Sequence, residues 1–171
     1  MEPVVIEGLD SQDPGVSASA VLASVSSGNA VVEKKLVAML SSRIDTKLAC
    51  KVAQALGRLK SREAVSEMKR WLFSTEIDGD DEIACFLIAL SDCGYALSAN
   101  ELENLMATKG NSIGVRRLVI AVVLDQHKSH VRLLGRMLTG DDVRDVDVLS
   151  ALREISGESK SADEREKTSA R

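Results

Sequence analysis

Two histidines three residues apart, His127 and His130 in the run His-Lys-Ser-His, are the nearest approach to a metal site in this chain of 171 residues. On a helix they would share a face. Zinc takes three or four ligands, however, and Asp125 is the only close carboxylate, so a polar turn is the better reading. Three cysteines are the candidate nucleophiles. Cys50 and Cys85 occupy equivalent places 35 residues apart, in Leu48-Ala49-Cys50 and Ile83-Ala84-Cys85. A thiol there can act as a small apolar packing residue or as half of a reactive pair, and packing is favoured where two helices meet closely. Cys93, beside Gly94 at an expected helix end, reads as the more accessible thiol, with no His or basic neighbour to lower its pKa. The segment from Glu76 to Glu82 holds five acids in seven residues but lacks the residue order of a calcium loop; it suits the start of a helix instead. No phosphate loop, nucleophile elbow or dinucleotide fingerprint occurs. These residues predict a non-enzymatic protein with no metal and no cofactor.

Composition narrows the classes further. Apolar residues make up 44% and charged residues 28%, an ordinary globular balance for one domain. Only Trp71, Phe73, Phe86 and Tyr95 are aromatic, too few for carbohydrate clefts or base-stacking platforms. With two prolines and eleven glycines, a loop-rich or β-sandwich fold is disfavoured. No apolar run approaches the length of a membrane span, and the acidic N-terminus lacks the basic start of a secretory signal. With three cysteines, an odd number, the expectation is reduced thiols and a cytoplasmic location.

The elements that must position these residues repeat. Val21-Leu22, Ala55-Leu56, Ala89-Leu90 and Val123-Leu124 follow one another at 34-residue steps. A second landmark follows each: Met39-Leu40, Trp71-Leu72, Leu105-Met106 and Met137-Leu138. Each unit reads as two amphipathic helices. Leu48, Ala49, Val52, Ala53, Leu56 and Leu59 form one apolar face, with Asp45 as its N-cap. Ala64, Val65, Met68, Trp71 and Leu72 form the next. Ile83, Ala84, Leu87, Ile88 and Leu90 follow, and Ser98 with Glu101 predicts a capping box ahead of Leu102, Leu105 and Met106. The fourth unit takes Ile113, Leu118 to Val123, Val131, Leu134, Met137 and Leu138. A last helix carries Val143, Val146, Val148, Leu149, Leu152 and Ile155, placed to cover the end of a stack. The expected organisation is a polar acidic segment over 1–15, a helical repeat domain over 16–156 and a disordered charged tail over 157–171.

Residues 51–74 resemble a HEAT-like repeat of the phycobilisome-lyase type. Ala55-Leu56-Gly57 ends one helix, Glu63-Ala64-Val65 opens the next, and Leu72 closes it. The resemblance implies an all-α fold: a short right-handed α-solenoid of about four helical hairpins plus a terminal capping helix. It also implies that the second helices line the concave surface. The period fits tetratricopeptide repeats as well, but Trp71 falls late in a second helix and repeat-ending prolines are missing. Iron-holding hydroxylases of the HEAT-like kind use His-Glu pairs, and none occurs here.

Charge alternates along the repeat: −4 over 1–15, +6 over 33–73, −8 over 76–104, +5 over 109–138 and −3 over 141–171. Stacked neighbours of opposite sign attract, and the same stripes could meet a charged partner. The −8 stretch interrupts the continuous basic face that DNA or RNA binding needs. On the second helices, the residues expected to face outward are Lys34, Lys35, Lys69, Arg70, Glu103, Asn104, Arg132 and Arg136. They define the expected partner face of an adaptor, scaffold or assembly factor that binds a protein or peptide. The alternative is a secretion or assembly chaperone with a tetratricopeptide-like apolar groove; nucleic-acid binding and a lyase-type enzyme fit less well.

Overall fold

Single polar side chains write the helix starts. A computed structural model describes residues 2–11, 13–26, 29–110, 112–125, 131–138 and 145–153. All regular structure among them is α-helical: α1 (Glu2–Leu9), α2 (Pro14–Ser24), α3 (Ala30–Ser41), α4 (Thr46–Arg58), α5 (Val65–Leu72), α6 (Asp80–Asp92), α7 (Ala99–Lys109), α8 (Ile113–Asp125), α9 (Val131–Arg136) and α10 (145–153). Ahead of α2, the Asp13 carboxylate accepts from the N–H groups of Gly15 and Val16 at 2.7 and 3.1 Å, and Pro14 takes the first position, where its missing N–H costs nothing. Asn29 caps α3 through the Val31 N–H at 2.7 Å, and Asp45 caps α4 through the Leu48 N–H at 3.0 Å. Ser98 and Glu101 form the expected capping box on α7. The start of α6 has no side-chain cap on its N-cap Gly79; Asp80, Asp81 and Glu82 place negative charge on its free N–H groups instead.

Helix ends repeat as well. After α4, the Lys60 N–H donates to the Gly57 carbonyl at 2.8 Å and the Ser61 N–H to the Leu56 carbonyl at 3.0 Å. After α6, Gly94 donates to Ser91 at 2.8 Å and Tyr95 to Leu90 at 3.0 Å. Both are Schellman turns, and both need a left-handed residue just past the helix. That residue is Gly94 at φ +74° in one and Lys60 at φ +56° in the other, 34 positions apart.

The chain divides into two compact units, Met1–Ala96 and Leu97–Arg171. In the first, α4 packs against both α2 and α6, most extensively on α6; α3 packs on α4 and α5, α5 packs on α6, and α1 lies on α2 and α3. The Cys85 sulfur meets the Cys50 carbonyl, Gly57 meets Ala89 and Asp92, and the Cys93 thiol reaches the Leu56 carbonyl. These contacts advance together along α4 and α6, so the two helices run parallel, with partners 32 to 37 residues apart. The core of this unit is Leu36, Leu40, Leu56, Met68, Leu72, Ile83, Phe86 and Leu90, with Trp71 stacked on Phe86 at 6.2 Å between ring centroids. In the second unit α8 packs against α7 and α9. Leu102, Leu105, Val115, Val119, Val123 and Leu134 are buried there. Of the 34-residue landmark pairs, Val21, Ala55, Ala89 and Val123 are buried, one on each of α2, α4, α6 and α8, but of their second members only Leu56 and Leu90 are buried and Leu22 is exposed.

Several expectations need correction. Residues 2–9 form a helix with Val5 and Leu9 buried, where a polar acidic segment is expected; the i, i+4 pair outweighs the surrounding acids. Cys93 is buried, 5% exposed, because the Schellman turn folds it back onto Leu56. Ile77, within the acidic segment, is fully buried, whereas Ile88 and Ile113 are exposed. In α10 the buried positions are Asp145, Val148 and Ala151, while Val146 and Leu149 are exposed. The helix is turned by the buried ion pair between Asp145 and Arg116 at 3.7 Å and by the Asp147–Arg117 pair at 2.6 Å. Val143, Ile155 and the expected tail over 157–171 lie outside the described residues.

Candidate functional site

In the first unit, the expected partner-face side chains lie on α3 and α5, which pack together. Lys34 is exposed. Lys35 is turned toward α1 and ion-pairs with Asp10. The Lys69 ammonium donates to the Tyr95 hydroxyl at 2.9 Å and stands 4.9 Å from the ring centroid, a cation–π contact. Arg70 pairs with Glu67 at 2.7 Å and donates to the Leu40 carbonyl at 3.1 Å. The Trp71 indole N–H donates to that same carbonyl at 2.7 Å. Two donors from α5 therefore satisfy the open C-terminal end of α3, where positive charge suits the helix dipole. Lys34 is thus the exposed cation of this set whose charge the fold leaves to solvent, while Lys35, Lys69 and Arg70 also hold the fold.

In the second unit, Arg136 on α9 ion-pairs with Glu103 on α7. Arg132 and Asn104 are exposed, and the Asn104 backbone carbonyl accepts the Thr108 hydroxyl at 2.8 Å. His127 and His130 lie outside the described residues. Among the described residues no three His, Cys, Asp or Glu side chains converge as a metal site. No helix among them is long and apolar enough to cross a membrane.

Of the concave features in the first unit, two bear on function. One is a mostly apolar cleft of about 520 Å³ between α1 and α2, lined by Val4, Val5, Val16, Ala20 and Ala23. The other, of about 360 Å³, lies between α4 and α6 and is lined by Lys47, Cys50, Lys51, Asp81, Glu82 and Cys85. The Cys85 thiol donates to the Cys50 carbonyl oxygen at 3.3 Å. No disulfide joins them. Hydrogen bonding from Cys85 holds the half-buried Cys50 thiol below its ordinary range, against the opposing effects of burial and the Glu82 carboxylate. The same contact, and then burial, pushes Cys85 far up. Burial, with Asp92 and Glu33 adding to it, raises Cys93. The two thiols are thus unequal: both line the cleft, but Cys50 is half-buried and shifted down, whereas Cys85 is buried and shifted up. The repeated Leu-Ala-Cys and Ile-Ala-Cys triplets carry the signal for this pairing; the apolar α1–α2 cleft has no signal apart from the buried faces of its helices.

Comparisons of the chain with protein-family models, with curated proteins and with solved structures give no match.

Proposed function

We propose that the chain is a protein-interaction module of stacked helical hairpins, a short α-solenoid of the HEAT-like kind, that binds an acidic protein or peptide partner on its second helices. The observation that carries this reading is the pairing of α4 with α6: they run parallel about one repeat apart and end in the same Schellman turn. A hairpin that buries one face only against the next hairpin leaves its other helix row to solvent. In the first unit Lys34, on α3, is an exposed cation, and in the second unit Arg132, on α9, is another. Their role is to meet carboxylates of a partner, giving specificity and rate of association. The protein then acts as an adaptor, scaffold or assembly factor.

The test is affinity capture from the native cell with quantitative mass spectrometry, comparing wild type, Lys34→Glu, Arg132→Glu and Lys51→Glu, a charge reversal on a first helix. A set of proteins enriched by wild type and by Lys51→Glu but lost from Lys34→Glu or Arg132→Glu supports the proposal. Equal enrichment by all four contradicts it.

The apolar α1–α2 cleft favours a second reading, a chaperone-like grip on a hydrophobic peptide segment. In that case Val16→Asp, on the cleft wall, abolishes capture and the charge reversals leave it unchanged.

A further inference from the structure

The cleft between α4 and α6 carries chemistry that partner binding does not use. The two helices approach closely where Gly57 on α4 meets the backbone of Ala89 on α6, and the Cys85 sulfur meets the Cys50 carbonyl in the same contact. That close approach brings a thiol from each helix to the same cleft wall. Both line the cleft; Cys50 is half-buried, whereas Cys85 is 6% exposed. The charged groups around them are Lys47 and Lys51 on α4, and Asp81 and Glu82 on α6. We propose that Cys50 and Cys85 are a redox-active dithiol, with Cys50 the attacking thiol and Cys85 the resolving thiol, that closes to an intramolecular disulfide on reaction with hydrogen peroxide.

The chemistry balances in two steps. The Cys50 thiolate sulfur attacks one peroxide oxygen; the O–O bond breaks, and the departing hydroxide takes up a proton to become water. Cys50 is left as the sulfenic acid. The Cys85 sulfur then attacks the Cys50 sulfur; the S–S bond forms, the S–O bond breaks, and the hydroxide leaves as a second water with the Cys85 thiol proton. Two thiols lose two electrons, and one peroxide becomes two waters. Nucleophilic attack needs a thiolate that solvent can reach: Cys50 is the more exposed of the pair, and the Cys85 contact favours its ionised form. Cys93 meets neither: it is buried, its pKa is raised, and its sulfur is turned onto the Leu56 carbonyl at 3.8 Å.

The experiment uses the full reduced chain treated with hydrogen peroxide in slight excess. Intact mass should fall by two hydrogens without dimer formation, and dithiothreitol should restore it. Peptide mapping with cleavage at Asp92, which separates Cys85 from Cys93, should show Cys50 linked to Cys85 and Cys93 free to alkylate. In Cys85→Ala, which places at 85 a residue the helix contact already uses at 89, the reaction should stop at a Cys50 sulfenic acid that dimedone traps. Disulfides through Cys93, disulfides between chains, or no loss of mass under conditions that oxidise free glutathione would each overturn the assignment. The wild-type result decides the matter even if a variant folds poorly.

Discussion

Gly57 on α4 lies directly against Ala89 on α6: a methyl group at Gly57 would stand 3.1 Å from the Ala89 α-carbon and 3.2 Å from its carbonyl oxygen. Both neighbours are backbone and cannot swing away. Gly57→Ala should therefore push the two helices apart and destabilise the protein by about 1–3 kcal/mol. At Gly135, within α9, a methyl group meets nothing within 4 Å. Gly135→Ala should be neutral or stabilise by up to about 1 kcal/mol. Urea unfolding followed by circular dichroism checks both.

Lys60 and Gly94 hold the same left-handed place in two successive turns, and only one of them is suited to it. Lys60→Gly should remove a strain of about 1–2 kcal/mol, partly offset by the freer unfolded chain. Gly94→Ala should destabilise by about 1 kcal/mol. A rise in melting temperature for the first and a fall for the second is the expected outcome.

The Arg116–Asp145 and Arg117–Asp147 pairs join the same two helices in different surroundings. Arg116 and Asp145 are both nearly buried, and Arg116 also donates to the Met137 carbonyl. Asp145→Ala should leave a buried guanidinium short of its counter-charge and cost about 3 kcal/mol. Asp147→Ala, at a largely exposed pair, should cost less than about 1 kcal/mol. Hydrogen exchange in α8 should rise sharply in the first variant only.

Alkylation of the thiols should separate with pH. Cys50 is held below the ordinary thiol range, so its reactive thiolate is present at lower pH, and its rate-versus-pH midpoint should lie below that of Cys93. Cys93 is raised, so it should stay slow until the solution is more alkaline. The ratio of the Cys50 rate to the Cys93 rate should therefore grow as pH falls from 9 toward 6, measured with iodoacetamide and mass spectrometry. Cys85→Ala removes the hydrogen-bond donor and should move the Cys50 midpoint upward.

What was legible in the sequence is what local spacing controls. The caps at Asp45 and Ser98 are single-residue signals that tertiary contacts leave intact. The 34-residue spacing is legible because the first residue of each landmark pair marks a buried position on alternate helices. What local spacing misses is side-chain pairing across the fold. Lys35 to Asp10, Lys69 to Tyr95, Arg70 to Leu40 and Arg136 to Glu103 span 25 to 33 residues, and no helix pattern reveals them. Those pairings divide the expected partner face into cations that brace helices and cations that remain outward. The face of α10 was missed for a related reason: counting apolar residues selects Val146 and Leu149, but the Arg116–Asp145 pair sets its rotation.

Once the captured partner is known, calorimetric titration of it at physiological salt tests the interaction face most directly. Reversing Lys34 to Glu should raise Kd about tenfold or more, about 1.4 kcal/mol, while reversing Lys51 to Glu should change it less than about twofold. Equal affinity for the Lys34 variant and wild type, or a greater loss at Lys51 than at Lys34, would contradict the account.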